Sequence, residues 1–540
     1  MLKPSPVRNW TRYNFLIFVP LILAAFLHLW NPAGFPSIHG DEGHYMRRAL
    51  ILLDGGPPQE DDFRYDHPFF GQMILAGLLA AVGYPDIVHF TSDANASSME
   101  NLHHVPRTLI GVLSIIDTFF IYKIAEHRYN SRTAFVAAIL FAVMPSGWLS
   151  SRILLESIQL PLILASILFS LRIWVRNQKD ILPGIDKKHD KRYTINVILV
   201  MTSGIFLGLA TFTKLPAIAF VPLLAYLVFI NSNRSFKMLG IWFAPVILIP
   251  MLWPAYSLAI GEFDEFLEGI FWQSGRADRG QYSVVDLFRP DVIYKMADIL
   301  VFDPFLVIVG TGGIIFASIK RDYFLGLWLI PIIVFFSLLG FVRTFFLIPM
   351  LPVFSIAAAV LISALLDKAS IRRVSRIVTI ASVSAITVFG LTSTFLLVNI
   401  NVNSAYFELY SVVVGYLPEN LGAETDDTSG VTIVGNDWVI SGLSWIPSQI
   451  YGKDHEFKKY YSRAPVETEK VLLVVDKRMR DELSDAIVES HIQQVRSFYT
   501  DGTGVVYQLN DRPRYDYSKY PYASMRDNRG IGVVELRSNY

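Results

Sequence analysis

Apolar runs close to the roughly 20 residues that cross a bilayer as a helix recur up to about residue 400 and then stop. The first covers about 13–30. Ten more follow at approximately 108–125, 132–149, 152–175, 194–212, 216–231, 238–259, 295–319, 323–341, 344–366 and 376–399. The pattern predicts a polytopic α-helical membrane protein with eleven transmembrane helices. One further apolar run, 69–82, is shorter and opens on "DHPFF". Its length suits a juxtamembrane or re-entrant helix better than a span. No small-residue cleavage site follows the first run, so it reads as a retained anchor and not as a signal peptide.

Basic residues orient the chain. With the N-terminus inside, "RNQKDILPGIDKKHDKR", "NSNRSFK", "KRD" and "DKASIRRVSR" share one face with "MLKPSPVRNWTR" and "EHRYNSR". Short loops rich in Lys and Arg mark the cytoplasmic side; a crossing at 69–82 would break that bias. The extracytoplasmic face then carries a long first loop at about 31–106, a loop at 260–294 and the C-terminal tail. From about 401 the composition turns polar. "VTIVG", "VLLVVDK" and "GVVYQLN" have strand character, with "RDELSDAIVESH" helical between two of them. The expected organisation is a transmembrane module over 1–400 and a small extracytoplasmic α/β domain over 401–540, ending in the irregular "RPRYDYSKYPYASMRDN". No internal repeat is visible.

Composition agrees. The 540 residues are 52% hydrophobic and 17% charged, where a soluble chain carries about 25% charged residues. Lys+Arg and Asp+Glu are both 47, so net charge gives no reason to expect a nucleic-acid partner. The absence of cysteine excludes disulfides, thiolate metal sites and thiol nucleophiles.

The polar residues at span ends carry the candidate chemistry. Asp41 and Glu42 follow the first span within "IHGDEGHY", and Asp66 and His67 come later in the same loop. Arg107 opens the second span, Arg152 and Glu156 the fourth; Lys214 ends the fifth, and Arg343 lies between the ninth and tenth. Such groups are costly unless water, headgroups or a partner meet them. The topology gathers them at one outer interface, as a site for a polar headgroup substrate requires. Plainer roles stand beside that one. Arg107, Lys214 and Arg343 could snorkel to lipid phosphates. Arg152 and Glu156 could be an i,i+4 helix pair, Asp66 an N-cap with Pro68 near the helix start, and Asp41 a solvated acid. His39, Asp41, His44 and His67 could bind a divalent metal, although their spacing matches no closed tetrahedral pattern.

Four stretches, in order, resemble the GT-C glycosyltransferases, and among them the protein O-mannosyltransferases (glycosyltransferase family 39-like) and their bacterial relatives that use polyprenyl-phosphate sugars. "GDEGHY" resembles the Asp-Glu motif of the first outer loop, and "DHPFFGQMI" the His-Pro-Pro stretch on a juxtamembrane helix. "SRILLESIQL" is similar to the Ser-Arg-x-x-x-Leu-Asp element opening the fourth span, and "GLATFTK" to a Gly-Leu-Ala…Lys segment. "RTFFLIPMLP" is similar to a late FL-P-LP element. The chain departs from the pattern at Phe69, Gln72 and Glu156, where the family has Pro, often Lys, and Asp. The C-terminal region does not resemble the β-trefoil insert of the eukaryotic enzymes, which favours a prokaryotic-type member in the cytoplasmic membrane.

The resemblance implies an inverting transfer of a hexose, mannose foremost, from a polyprenyl- or dolichyl-phosphate donor to an acceptor hydroxyl on the extracytoplasmic face. Asp41 would be the base, with Glu42 orienting the acceptor, binding a cation or supporting Asp41. Arg107, Lys214 and Arg343 would meet the donor phosphate, with Asp66, His67, Arg152 and Glu156 in support. Protein Ser/Thr, a lipid or a glycan could each be the acceptor. A lipid-linked-sugar transporter is the alternative from another class; it predicts charges buried mid-span and broken helices repeated in two halves.

Overall fold

The computed structural model describes residues 14–58, 65–87, 96–173, 186–274, 299–300, 303–339, 342–369, 373–401 and 403–415. Beyond these it describes 431–435, 445–446, 457–459, 470–475, 506–508 and 532–537. The helix expected within 480–491, the irregular tail and most of the basic 176–192 loop lie outside the described residues.

The described residues of each predicted apolar run fall mostly on helix. The helices are α1 (Phe18–Leu29), α2 (Gly40–Leu53), α3 (Phe70–Ala81), α4 (Ala96–Arg128), α5 (Ser131–Val143), α6 (Leu155–Leu171), α7 (Asp186–Thr213) and α8 (Val221–Asn231). They continue as α9 (Phe236–Leu248), α10 (Leu252–Ile260), α11 (Phe263–Ser274), α12 (Pro304–Ile319), α13 (Phe324–Leu339), α14 (Leu351–Ala369), α15 (Arg373–Val398) and α16 (Ser404–Gly415). The short run at 69–82 forms α3, a helix of 12 residues.

Four helical stretches among the described residues are long and apolar enough to cross a membrane: Ser97–Arg128, Tyr193–Thr213, Phe236–Ile260 and Thr344–Lys368. Two bent pairs raise the number to six: α5 with a 3-10 turn over Pro145–Ser151, bent by 70°, and α12 with α13, bent by 120°. The remaining apolar helices are shorter. The protein is thus a multi-pass membrane protein, with four to six described helices meeting the length requirement against eleven expected runs. Part of the gap is proline chemistry. Pro145 and Pro216 open 3-10 turns, where a missing backbone N–H divides a continuous apolar run. Large apolar side chains such as Ile22, Phe236, Leu248, Ile308 and Ile319 remain exposed, as lipid-facing positions do.

Helix α14 is the most enclosed, with 89% of its apolar window buried. It packs on α12 through Gly310 and Gly313, where an added Cβ would collide with Phe354 and with the Ala357 carbonyl. Small residues of this kind let membrane helices approach closely. The five described strands of the C-terminal region form one mixed sheet: β1 (Val431–Gly435), β2 (Phe457–Lys459), β3 (Lys470–Val475), β4 (Val506–Gln508) and β5 (Gly532–Arg537). Their order is β2-β1-β3-β5-β4, parallel at β1–β2 and β1–β3 and antiparallel at β3–β5 and β5–β4.

Candidate active site

The first turn of α2 is a reciprocal cap. His39 is extended at the N-cap, its Nδ1 accepts the Asp41 N–H at 3.2 Å, and its own N–H donates to Glu42 Oε1 at 2.8 Å. Burial, reinforced by the charge of Arg152, holds the His39 imidazole down at about 4 against the pull of Asp41. The ring is therefore neutral at pH 7, and because Nδ1 accepts, its proton sits on Nε2.

Glu42 is 1% exposed, and both its oxygens are filled. Arg107 grips it with Nη2 on Oε1 at 2.8 Å and Nε on Oε2 at 3.0 Å, and the Ile153 N–H reaches Oε2 at 3.2 Å. The remaining terminal nitrogen of Arg107 donates to the carbonyls of Pro32 and Pro36. Asn403 holds the same loop from the far end of the helical region. Its Nδ2 donates to the Ala33 and Pro36 carbonyls at 2.7 and 2.8 Å, and its Oδ1 accepts the Ile38 N–H at 2.9 Å. Arg107 and Asn403 are each 0% exposed. Together they fix the loop that delivers Asp41. Asn403→Ala leaves buried backbone groups unmet, and a loss of about 1–3 kcal/mol is expected, read as a lower melting temperature in detergent.

The other cations sit at extended breaks where 3-10 turns meet helices. Arg152 follows Pro145–Ser151, Lys214 precedes Leu215–Phe220, and Arg343 precedes Thr344–Met350. Arg152 donates to the Ser37 carbonyl and hydroxyl and lies over the Trp148 ring. Lys214 Nζ donates to Glu156 Oε1 at 2.6 Å, both side chains 3% exposed, and sits over the Phe345 and Phe346 rings. Arg343 is exposed, near enough to His39 for its charge to act there.

Asp41 differs from these: its side chain is 40% exposed. Burial of the region pushes its carboxyl up, but His39, Lys214, His44 and His67 outweigh that and hold it below its usual value. Asp66 pairs with Arg48 at 2.7 Å, and it too is held low because Arg48 and His67 prevail over burial.

Several sequence expectations change here. Helix α3 is capped at Phe69 without a side-chain bond, so Asp66 is an ion-pair partner and not its N-cap. Arg152 and Glu156 do not form the i,i+4 pair, because Arg152 precedes α6 on extended backbone. Glu42 has no oxygen left for an acceptor or a cation, and Arg107 is enclosed with its donors spent on the framework. Arg48 and Asn403 escaped sequence reasoning, since nothing local marks them, and Phe345 and Phe346 entered only within "RTFFLIPMLP", without a role of their own. Asp117, mid-way along α4, is fully buried with no partner for either oxygen among the described residues, and the site makes no use of it. Among the described residues no three His, Asp or Glu side chains converge to hold a metal ion, and Nδ1 of His39 is already taken.

No family model and no curated protein matches the chain. Solved structures do. The archaeal oligosaccharyltransferase AglB from Archaeoglobus fulgidus, in complex with an inhibitory peptide and a dolichol-phosphate, superposes over 91% of this chain and 73% of its own, with a TM-score of 0.54 and 13% identity. The chain has a GT-C-like fold. The apo form of the A. fulgidus oligosaccharyltransferase matches over 87% of this chain and 70% of its own, with a TM-score of 0.52 and 14% identity. The S. cerevisiae protein O-mannosyltransferase Pmt1-Pmt2 complex bound to the sugar donor covers 48% of this chain and 35% of its own, at TM-score 0.34 and 17% identity, too little to argue from. At these identities the likeness is one of fold alone.

Proposed function

We propose that the protein is an inverting GT-C glycosyltransferase that moves a hexose, mannose foremost, from a polyprenyl- or dolichyl-phosphate donor to a hydroxyl on the extracytoplasmic face. In this reading the eleven apolar runs all cross the membrane and the C-terminal α/β region lies outside. The observation that carries the proposal is Asp41: a partly exposed, ionised carboxylate at the first turn of α2, on a loop whose buried polar groups are otherwise satisfied. The dolichol-phosphate and peptides bound by the A. fulgidus enzyme favour a lipid-linked donor and a protein acceptor, here Ser or Thr.

The acceptor hydroxyl must lose a proton as its oxygen attacks the anomeric carbon. Asp41 takes that proton, and the polyprenyl phosphate leaves with the bonding electrons. Negative charge grows on the phosphate, and Arg343 is the exposed cation positioned to meet it. Glu42, His39 and Arg107 act as positioning residues through the loop. A single displacement inverts the anomeric centre and needs no second nucleophile.

Purified protein incubated with synthetic polyprenyl-phosphate mannose and a Ser/Thr peptide should yield a glycopeptide whose anomeric configuration, read by NMR, is opposite to the donor's. Retained configuration, or donor and peptide left unchanged, would sink the proposal.

A further inference from the structure

The buried end of the site contains acceptor oxygens without donors. Glu156 commits Oε1 to Lys214, but Oε2 meets no donor among the described residues. One turn on, Gln159 spends its amide nitrogen on the Ala210 and Lys214 carbonyls. Two carbonyl partners fix which end of the amide is nitrogen, so its Oε1 is a second acceptor without a donor among the described residues. Buried acceptors of this kind are costly and uncommon. Lys214 is turned to Oε1 and stacked over Phe345 and Phe346, so it does not serve Oε2.

Phe345 links this pair to the turn that carries Asp41: Lys214 Nζ lies 5.5 Å from the centre of its ring, and the His39 ring packs edge-on against it at 5.0 Å. The charges of both Asp41 and Glu156 reach the Tyr45 phenol, and the charge of Lys214 reaches Asp41. A phosphate would meet an acceptor oxygen here and a cation already neutralised. A sugar hydroxyl would bring the donor that the site lacks.

We infer that Glu156 Oε2 recognises the transferred sugar by accepting a hydrogen bond from one of its hydroxyl groups, with Lys214 holding the carboxylate in place through Oε1. The inference rests on the proposed glycosyl transfer and makes Glu156 its specificity-determining residue.

The test uses polyprenyl-phosphate mannose and its monodeoxy forms as donors for wild type, Glu156→Gln and Glu156→Asp. Wild type should lose about a hundredfold in kcat/KM for one monodeoxy form, because removing a recognised hydroxyl leaves the site's acceptor unmet. Glu156→Gln, which replaces an acceptor oxygen by a donor NH2, should depress the parent sugar toward that analogue and shrink the ratio to within about threefold. Glu156→Asp keeps the charge beside Lys214 and should fall between the two, which preserves the test if the Gln variant does not fold. Equal losses for parent and analogues in the variants, or a wild type indifferent to every missing hydroxyl, would overturn the inference alone. Absence of transfer from any of these donors by wild type would overturn the proposed function beneath it.

Discussion

Arg107→Ala is expected to destabilise the protein by about 3–5 kcal/mol, the usual cost of stripping one partner from a buried ion pair. Glu42 would keep a carboxylate enclosed without its cation, and the Pro32 and Pro36 carbonyls would lose a donor. Lys at this position should rescue only in part, since a point charge cannot reproduce the two-pronged grip and the carbonyl contacts together. Thermal denaturation in detergent reads the loss. The donor KM of whatever protein remains folded should be nearly unchanged, whereas a phosphate ligand at 107 would raise it.

The same pair makes stability sensitive to acid. Burial pushes the Glu42 carboxyl up, but Arg107 and Arg152 overcome it and hold the group below its ordinary value. A carboxyl depressed in the folded state adds stability above its unfolded value, about 4.3, and loses it as the pH falls through the folded value. The melting temperature should drop in that acid window, and Glu42→Gln should remove part of the slope.

Asp41→Asn is expected to reduce transfer by about 10²–10⁴, the range for loss of a general base, with little change in melting temperature. The cap at this turn uses the Asp41 backbone N–H and not its carboxylate, so the variant separates chemistry from folding. Because the carboxyl is held below its usual range, the base is already ionised at neutral pH. The acid limb of kcat/KM should therefore lie below about 4, the unperturbed Asp value. Lys214→Met removes one of the charges holding Asp41 down and should move that limb upward.

How much of this was legible in the sequence depends on the distance between partners. Hydropathy located the helices, the short α3 at 69–82 among them. The span-end charges stood out, because a bilayer makes any such charge conspicuous. What each charge does was not readable. Arg107 looks like a cation at a span end, yet its partner lies 65 residues earlier and its remaining bonds go to backbone carbonyls that no residue pattern announces. Glu156 stands four residues from Arg152 but pairs with Lys214, 58 residues on, because the 3-10 turn ending at Ser151 leaves Arg152 off the helix. Asn403 is an ordinary residue just past the last apolar run until the fold brings Ala33, Pro36 and Ile38 to it.

The central claim is that Asp41 is the base of a lipid-linked glycosyl transfer. Radiolabelled polyprenyl-phosphate mannose, supplied to purified wild type and to Asp41→Asn with the same acceptor peptide, tests it directly. Labelled peptide should accumulate with wild type and fall at least about a hundredfold with the variant, while both melt at the same temperature. Equal labelling by the two proteins would contradict the account.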